Sequence, residues 1–425
     1  MSNSKNIIIT WIILRNYNII TEYNFIVGFY GMYKYKRYLS LNIEPHQSIF
    51  LWGARKTGKS TYLKNLYHDS IYYDLLKTDL FLRYIKTPSL LREEILALPA
   101  EKLSLPVIID EVQKVPALLD EIHWLIENTE TTFILCGSSA RKLKQQGTNL
   151  LGGRAIKYNF YPLVYPEYKE DFDLLRIFNH GLIPSHFLSS NPRKLLQAYI
   201  EDYLTNEIRS EGYVRNVPAF SRFLDSTMFS HGEMINYSNI ARDCGIDSKT
   251  VKEYYQILVD TLVGYLIYPY TKKVNRNIIA HTPKFYYFDV GVANRISKKQ
   301  FETLAGAEAG KSLEHFILTE LIAFLNLTDS DYNLYYWRTN TKLEIDFILA
   351  DHFSMPIPIE VKSSVLVHKS ELKAMKAFME EHKVSKGYVV CRENSMRKIS
   401  INNDKEILII PVKEFLGYLW GQNIK

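Results

Sequence analysis

The octapeptide Gly53-Ala54-Arg55-Lys56-Thr57-Gly58-Lys59-Ser60 constrains this chain more than any other feature, because it matches the spacing G-x-x-x-x-G-K-[ST] in full. Such a loop works only where a strand turns into a helix. Here Ser48 to Trp52 is an apolar run that reads as a buried parallel strand, and a helix is expected to start near Lys59. Glycines at 53 and 58 let the backbone turn, so that successive N–H groups and the helix N-terminus face an anion. Lys59 would reach the β- and γ-phosphates of ATP and Ser60 would bind Mg²⁺, with Gly53, Ala54, Arg55, Lys56, Thr57, Gly58 and Thr61 completing the cradle. The octapeptide alone also arises by chance in glycine-containing loops, so its partners decide the matter.

Those partners follow along the chain. Val107-Ile108-Ile109 is an apolar strand ending in Asp110-Glu111, at the edge where open parallel sheets bind ligands. Asp110 is expected to hold Mg²⁺ through water and Glu111 to orient or deprotonate the attacking water; the plain alternative is a solvated strand end. A strand over Thr132 to Cys136 leads into Gly137-Ser138-Ser139, and Ser138 is expected to position the water or touch the γ-phosphate. Arg154, in the turn Gly152-Gly153-Arg154, and Arg141 are candidates for stabilising phosphoryl charge, in cis or from a neighbouring subunit, against an ordinary surface role. With a strand at Ile71 to Asp74, helical periodicity from Leu75 to Leu98 broken at Pro88, and a helix over Leu118 to Glu127, the alternation predicts a parallel sheet covered on both faces.

These segments, with Leu151-Gly152-Gly153-Arg154, Tyr161-Pro162-Leu163 and Glu167, resemble the prokaryotic AAA-type P-loop ATPase family that carries a conserved C-terminal domain of unknown function. The resemblance runs from Met32 nearly to the end. It implies ATP and Mg²⁺ as cofactors and a sensor strand inserted between the loop strand and the acidic strand. No second sensor arginine is recognisable in the helical region, which argues against a ring-type motor, and no arginine-rich lid close to the loop supports a nucleotide kinase.

From Pro166 to Phe229 the pattern turns helical, clearest at Arg193 to Arg209. Ser238 to Val251 then has helix-turn-helix logic: a helix, a turn at Gly245, and a second helix capped by Asp247 or Ser248. In a DNA reader Lys249, Thr250 and Lys252 would meet the major groove, but such modules also serve as protein contacts or rigid lids. The resembled family has a winged helix in this position.

Further on, the expected order is a strand at Lys284 to Val290, a helix at Ser312 to Leu325, strands at Leu334 to Arg338, Glu344 to Leu349 and Pro358 to Lys362, a helix at Ser370 to His382, and strands at Gly387 to Cys391 and Ile407 to Ile410. Alternation puts Glu344 and Asp346 on one strand face and Glu360 and Lys362 on another. With Glu314 on the preceding helix this order is similar to the PD-(D/E)xK restriction-endonuclease-like fold, in which Asp346 and Glu360 would hold Mg²⁺ while Glu314 and Lys362 assist. Alternating charge on a half-exposed strand is the bland reading, and Ile345 stands where a proline is expected before Asp346.

At 425 residues the chain exceeds what one core usually organises, so two or three domains are the starting expectation, and the motifs divide it into an N-terminal extension (1–39), a P-loop domain (40–165), a helical and winged-helix region (166–275) and a nuclease-like α/β domain (276–425). The 47% apolar and 23% charged residues argue against long disorder, while the net charge of +6 permits DNA contact without requiring it. Three cysteines without a C-x-x-C pair fit a reducing cytoplasm, and the apolar stretch Ile7 to Leu14 is too short to span a bilayer, so no membrane role is expected. Residues 1–31 differ in character from the rest, and a start at Met32 is favoured over an extra packed element. The expected function is an ATP-hydrolysing protein coupling nucleotide state to the nuclease-like module, in DNA transactions or defence, with a protein partner or homo-oligomer open. The alternative is a non-catalytic ATP-dependent switch that binds a protein partner.

Overall fold

The computed structural model describes residues 34–43, 47–139, 141, 143, 151–207, 214, 216–271, 282–402 and 404–424. Ile7 to Leu14 and the start placed at Met32 lie outside them. Of the segment set apart as an extension, residues 34–39 are described and pack on the first unit through Arg37 and Tyr38.

Apolar runs with no polar side become the first sheet. Strands β1 (Ser48–Trp52), β2 (Tyr72–Asp74), β3 (Val107–Asp110), β4 (Phe133–Gly137) and β5 (Ala155–Asn159) pair in the order β2-β3-β4-β1-β5, all parallel. Strand β4 therefore lies between β1 and β3, the insertion that the family resemblance implied. Side-chain alternation splits the core in two. Phe50, Ile109, Phe133 and Leu135 meet the helix Leu118–Asn128, whereas Ile49, Leu51, Ile108 and Ile134 meet Leu63 of helix α1 (Lys59–Leu66) and Leu41. Strand β5 was not foreseen, because its sequence AIKYN mixes charge with apolar residues as an edge strand does.

The helical stretch includes Leu174–His180, Pro192–Ala198 running into a π-helical segment Tyr199–Glu207, and Val217–Ser230. Helices α2 (Tyr237–Cys244) and α3 (Ser248–Asp260) follow. Phe220, Phe223, Ile240, Ala241, Val251, Tyr255 and Leu258 share one core, and Ala54 of the phosphate loop packs into it.

The second sheet has eight strands. Strands β6 (Gly264–Pro269), β7 (Lys284–Tyr287), β8 (Asn333–Arg338), β9 (Glu344–Ala350), β10 (Ile357–Val361), β11 (Lys386–Cys391), β12 (Arg397–Asn402) and β13 (Lys405–Pro411) run in the order β12-β13-β11-β10-β9-β8-β6-β7. Helices Ala307–Leu327 (α4) and Val412–Trp420 cover one face, and Lys373–Glu381 covers the other. Within it α4, β8, β9, β10, the helix Lys373–Glu381 and β11 form a unit whose first two strand pairings are antiparallel and whose last is parallel. Strand β6 precedes position 275 yet pairs with both β7 and β8, so the sheet crosses that expected division. The strand expected at Lys284 to Val290 stops at Tyr287, because the Asp289 carboxylate accepts from Val292 N at 2.9 Å and caps a helix, Val290–Ile296. That helix, β12 and the helix Val412–Trp420 were not anticipated.

Candidate functional site

The loop between β1 and α1 has the backbone its glycines imply. Gly58 is left-handed (φ 99°), and a Cβ on Gly53 would collide with Phe160 O. No side chain caps the first turn of α1, whose N-terminus faces the loop. The Lys59 ammonium, buried at its base, donates to Gly53 O at 2.6 Å and Ala54 O at 3.1 Å. Thr57 is buried, its hydroxyl donating to Ala54 O at 2.8 Å, while Lys56 is exposed and Gly58, Ser60 and Thr61 are half-exposed. The loop is thus framed by protein without being sealed.

At the adjoining sheet edge the acids assemble around hydroxyls. Ser60 Oγ donates to Asp110 Oδ2 at 2.6 Å, and Tyr72 OH donates to the same oxygen at 2.5 Å. Burial and the Asp110 charge push the Tyr72 phenol far up, so it remains a donor. Glu111 sits at a left-handed φ of 59° that opens a short turn, Val112–Lys114. Gln113 Nε2 donates to Glu111 Oε2 at 2.5 Å and to Ser138 Oγ at 3.2 Å. A serine hydroxyl and a carboxylate 2.6 Å apart are the ligand types that share one Mg²⁺ in phosphate-loop sites, so this donor set fits that ion and a nucleotide triphosphate.

Lys59, Ser60, Asp110, Glu111 and Ser138 are brought together; Arg154 is not. Its carbonyl accepts from Ser48 N at the opposite end of β1, and its guanidinium pairs with Glu127 on the surface. A cis role for Arg154 therefore has no geometry in this chain. Arg141 pairs with Asp260 of α3 at 2.9 Å, tying the sensor-strand exit to the helical unit. Sequence reasoning missed Arg37, whose guanidinium donates to Thr57 O at 2.7 Å, Tyr161 O at 2.7 Å and Glu167, and stacks on Phe160 at 4.1 Å. It also missed Tyr72 and Gln113. For Gln113 a signal existed, an amide side chain two residues beyond the acidic pair.

The C-terminal acids are also brought together, but around cations. Lys284, buried on β7, lies 2.5 Å from Glu344 and 3.5 Å from Glu314. Burial opposes its charge, and Glu314, Glu344 and Asp346 more than offset this, raising its pKa above the usual lysine range. Arg338 bonds Glu344 at 2.6 Å and Lys362 bonds Glu360 at 2.6 Å. Tyr286 OH donates to Glu314 at 2.5 Å and Val361 N to Asp346 at 2.7 Å. Burial, then the charges of Glu360 and Glu314, push the Asp346 carboxyl well up, which favours its neutral form. Four acids thus meet three cations, and burial raises both Asp346 and Glu360 above the usual carboxylate range. Among the described residues no group of three or more His, Cys, Asp or Glu has metal-holding geometry. The adjoining cavity, lined by His231, Lys284, Tyr286, Lys311, Glu314 and Glu344, holds about 80 Å³, room for a few waters.

In the helical unit Asp247 caps α3 through Lys249 N at 2.8 Å and Thr250 N at 2.9 Å, and Gly245 makes the turn at φ 67°. Lys249 and Lys252 are exposed, while the Thr250 hydroxyl is spent on Asp247. No described helix is long and apolar enough to cross a membrane.

Comparison with known proteins finds three family models along the chain. An AAA domain model matches residues 45–169, a domain of unknown function (DUF8612) matches 172–303, and another (DUF4143) matches 309–415. Mb2031c of Mycobacterium bovis and Rv2008c of Mycobacterium tuberculosis, both uncharacterized, are each 25% identical over 264 residues, which is 60% of this chain and 58% of theirs. The match thus spans less than two thirds of those relatives. The uncharacterized protein MJ1637 of Methanocaldococcus jannaschii is 24% identical over 432 residues, covering 88% of this chain and 85% of its own. The Aeropyrum pernix ORC1 protein, solved in complex with DNA, aligns over 60% of this chain and 87% of its own at a TM-score of 0.23 and 11% identity, too low to carry an argument. The N-terminal unit is accordingly an AAA-type, nucleotide-binding P-loop domain.

Proposed function

We propose that this protein is an Mg²⁺-dependent ATPase whose nucleotide state is passed to its helical and C-terminal units. The observation that carries this reading is the Ser60–Asp110 contact at 2.6 Å, flanked by Glu111 on the same strand end. When bound, Mg²⁺ would neutralise phosphate charge. Ser60 and Asp110 would hold that ion, the loop N–H groups and Lys59 would hold the phosphates, and Glu111 with Ser138 would orient the attacking water. Passage to the rest of the chain is supported by Ala54 packing in the helical core and by Arg37 joining Thr57 to Tyr161 and Glu167.

The order α4-β8-β9-β10-helix-β11 supports a restriction-endonuclease-like relationship for the C-terminal unit, and the β6–β7 pair after α3 supports a winged helix. Cleavage is a separate matter. The cations already paired with Glu344, Glu314 and Glu360 favour the reading in which this unit responds to ATP without cutting nucleic acid. DNA and protein then stand as partners of the exposed Lys249 and Lys252 face. Purified protein incubated with ATP, Mg²⁺ and plasmid tests both parts: phosphate release without nicking supports the proposal. Nicking that disappears in Asp346→Ala would replace it with a nuclease.

A further inference from the structure

Gln113 is buried at 2% exposure, deep in a site where uncompensated polar atoms are costly. Only an amide nitrogen can face a carboxylate, so its Nε2 side is fixed toward Glu111 Oε2 at 2.5 Å, and its second hydrogen reaches Ser138 Oγ at 3.2 Å. Ser138 Oγ itself lies 3.4 Å from Glu111 Oε2, closing a triangle. The other amide atom, Gln113 Oε1, is buried with no hydrogen-bond partner. It points at Gly137, where a Cβ would collide with both Oε1 and the Trp52 ring. The side chain is therefore held by one pair of directed bonds, on the edge of the sheet that carries Asp110.

We propose that Gln113 is a positioning residue that aims Glu111 and couples it to Ser138 at the tip of β4. This rests on the ATPase reading above and names how its general base is held. The Glu111 carboxylate stands on a left-handed residue that opens a short turn, and an amide bonded to it and to the neighbouring strand fixes its direction, which matters because misplacement of a reacting group is costly. Because Gln113 reaches neither the phosphate loop nor, by its bonds, the Ser60–Asp110 pair, its loss should spare nucleotide binding.

The test compares ATP turnover by the full-length wild type, Gln113→Met and Gln113→Glu. Methionine keeps the length without a donor, and glutamate keeps the shape but abuts a second carboxylate. The expected result is a fall in kcat of about tenfold or more in both, larger for Gln113→Glu, with KM for ATP within about twofold. Combining Gln113→Met with Ser138→Ala should cost little beyond the worse single change, because the two act through one bond network. Wild-type kcat in either folded variant, or a rise in KM matching the fall in kcat, overturns the proposal. A wild-type protein that binds ATP but never turns it over would sink the ATPase reading instead, which no outcome for the Gln113 variants imitates.

Discussion

At the end of β3 the Asp110 carboxylate is met by two hydroxyls, from Ser60 and Tyr72, whereas on β9 and β10 the carboxylates of Glu344 and Glu360 are met by ammonium and guanidinium groups. Hydroxyls satisfy hydrogen bonds and leave the negative charge in place, so the first cluster retains a reason to recruit a divalent cation. Protein cations offset most of that charge in the second cluster, three against four acids, so its need for one is smaller. Two acid-rich sheet edges that read alike in sequence thus differ in what they still require.

The largest effect that would break this contrast is kinetic. Lys59→Ala or Glu111→Gln should lower ATP turnover by about 100-fold or more, measured as phosphate release. Wild-type protein should show no plasmid nicking for Asp346→Ala to remove, and a nicking activity lost in that variant would place both clusters in the same catalytic class.

Next comes the charge balance around Lys284. Lys284→Met leaves Glu314 and Glu344 without their shared cation and should cost about 3–5 kcal/mol in denaturant unfolding. In the absence of nucleotide, Mg²⁺ should raise the melting temperature of that variant more than that of the wild type, whose gain comes from the Asp110 site alone. Equal stabilisation of both would mean that removing the lysine creates no further ion site.

A third buried acid sharpens the comparison, because Glu320 has donors but no cation: Tyr168 OH at 2.8 Å, Trp420 Nε1 at 2.8 Å and Tyr165 N at 3.1 Å. Burial pushes its carboxyl up to about 7, and those donors oppose the shift only in part. The folded state then holds this proton more tightly than the unfolded chain, whose value is near 4.5. Stability from this group is full below pH 4.5 and declines as pH rises through 7, by roughly 3 kcal/mol in total. Glu320→Gln should flatten that slope in melts taken between pH 5 and about 8; an unchanged slope assigns it to other groups. The smallest expected effect belongs to Arg154→Ala, whose turnover should stay within about twofold of wild type because its partner is the exposed Glu127. A drop appearing only at high protein concentration would instead show Arg154 acting on a second copy.

Much of the nucleotide site was legible in the sequence, since a phosphate loop and an acidic strand end are local patterns and chain alternation fixes which sheet edge they share. The missing parts are those that only tertiary packing supplies. Arg37 lies outside any local motif and reaches Thr57 across 20 positions, and Lys284 meets Glu344 from a strand three places away in the sheet. The same holds for β5, whose identity comes from its register with β1, Ser48 opposite Ala155 through Trp52 opposite Asn159, rather than from its own mixed composition. Reading Glu344, Asp346, Glu360 and Lys362 by alternation placed them near one another, but pattern alone is blind to a buried lysine arriving from the neighbouring hairpin.

Equilibrium titration of the full chain with ATP and Mg²⁺, wild type beside Lys59→Ala, addresses the nucleotide site most directly. Saturable wild-type binding somewhere in the range of about 1 μM to 1 mM, weakened at least about tenfold by the substitution, is the predicted result. Absence of saturation in the wild type, or identical curves for the two proteins, would contradict it.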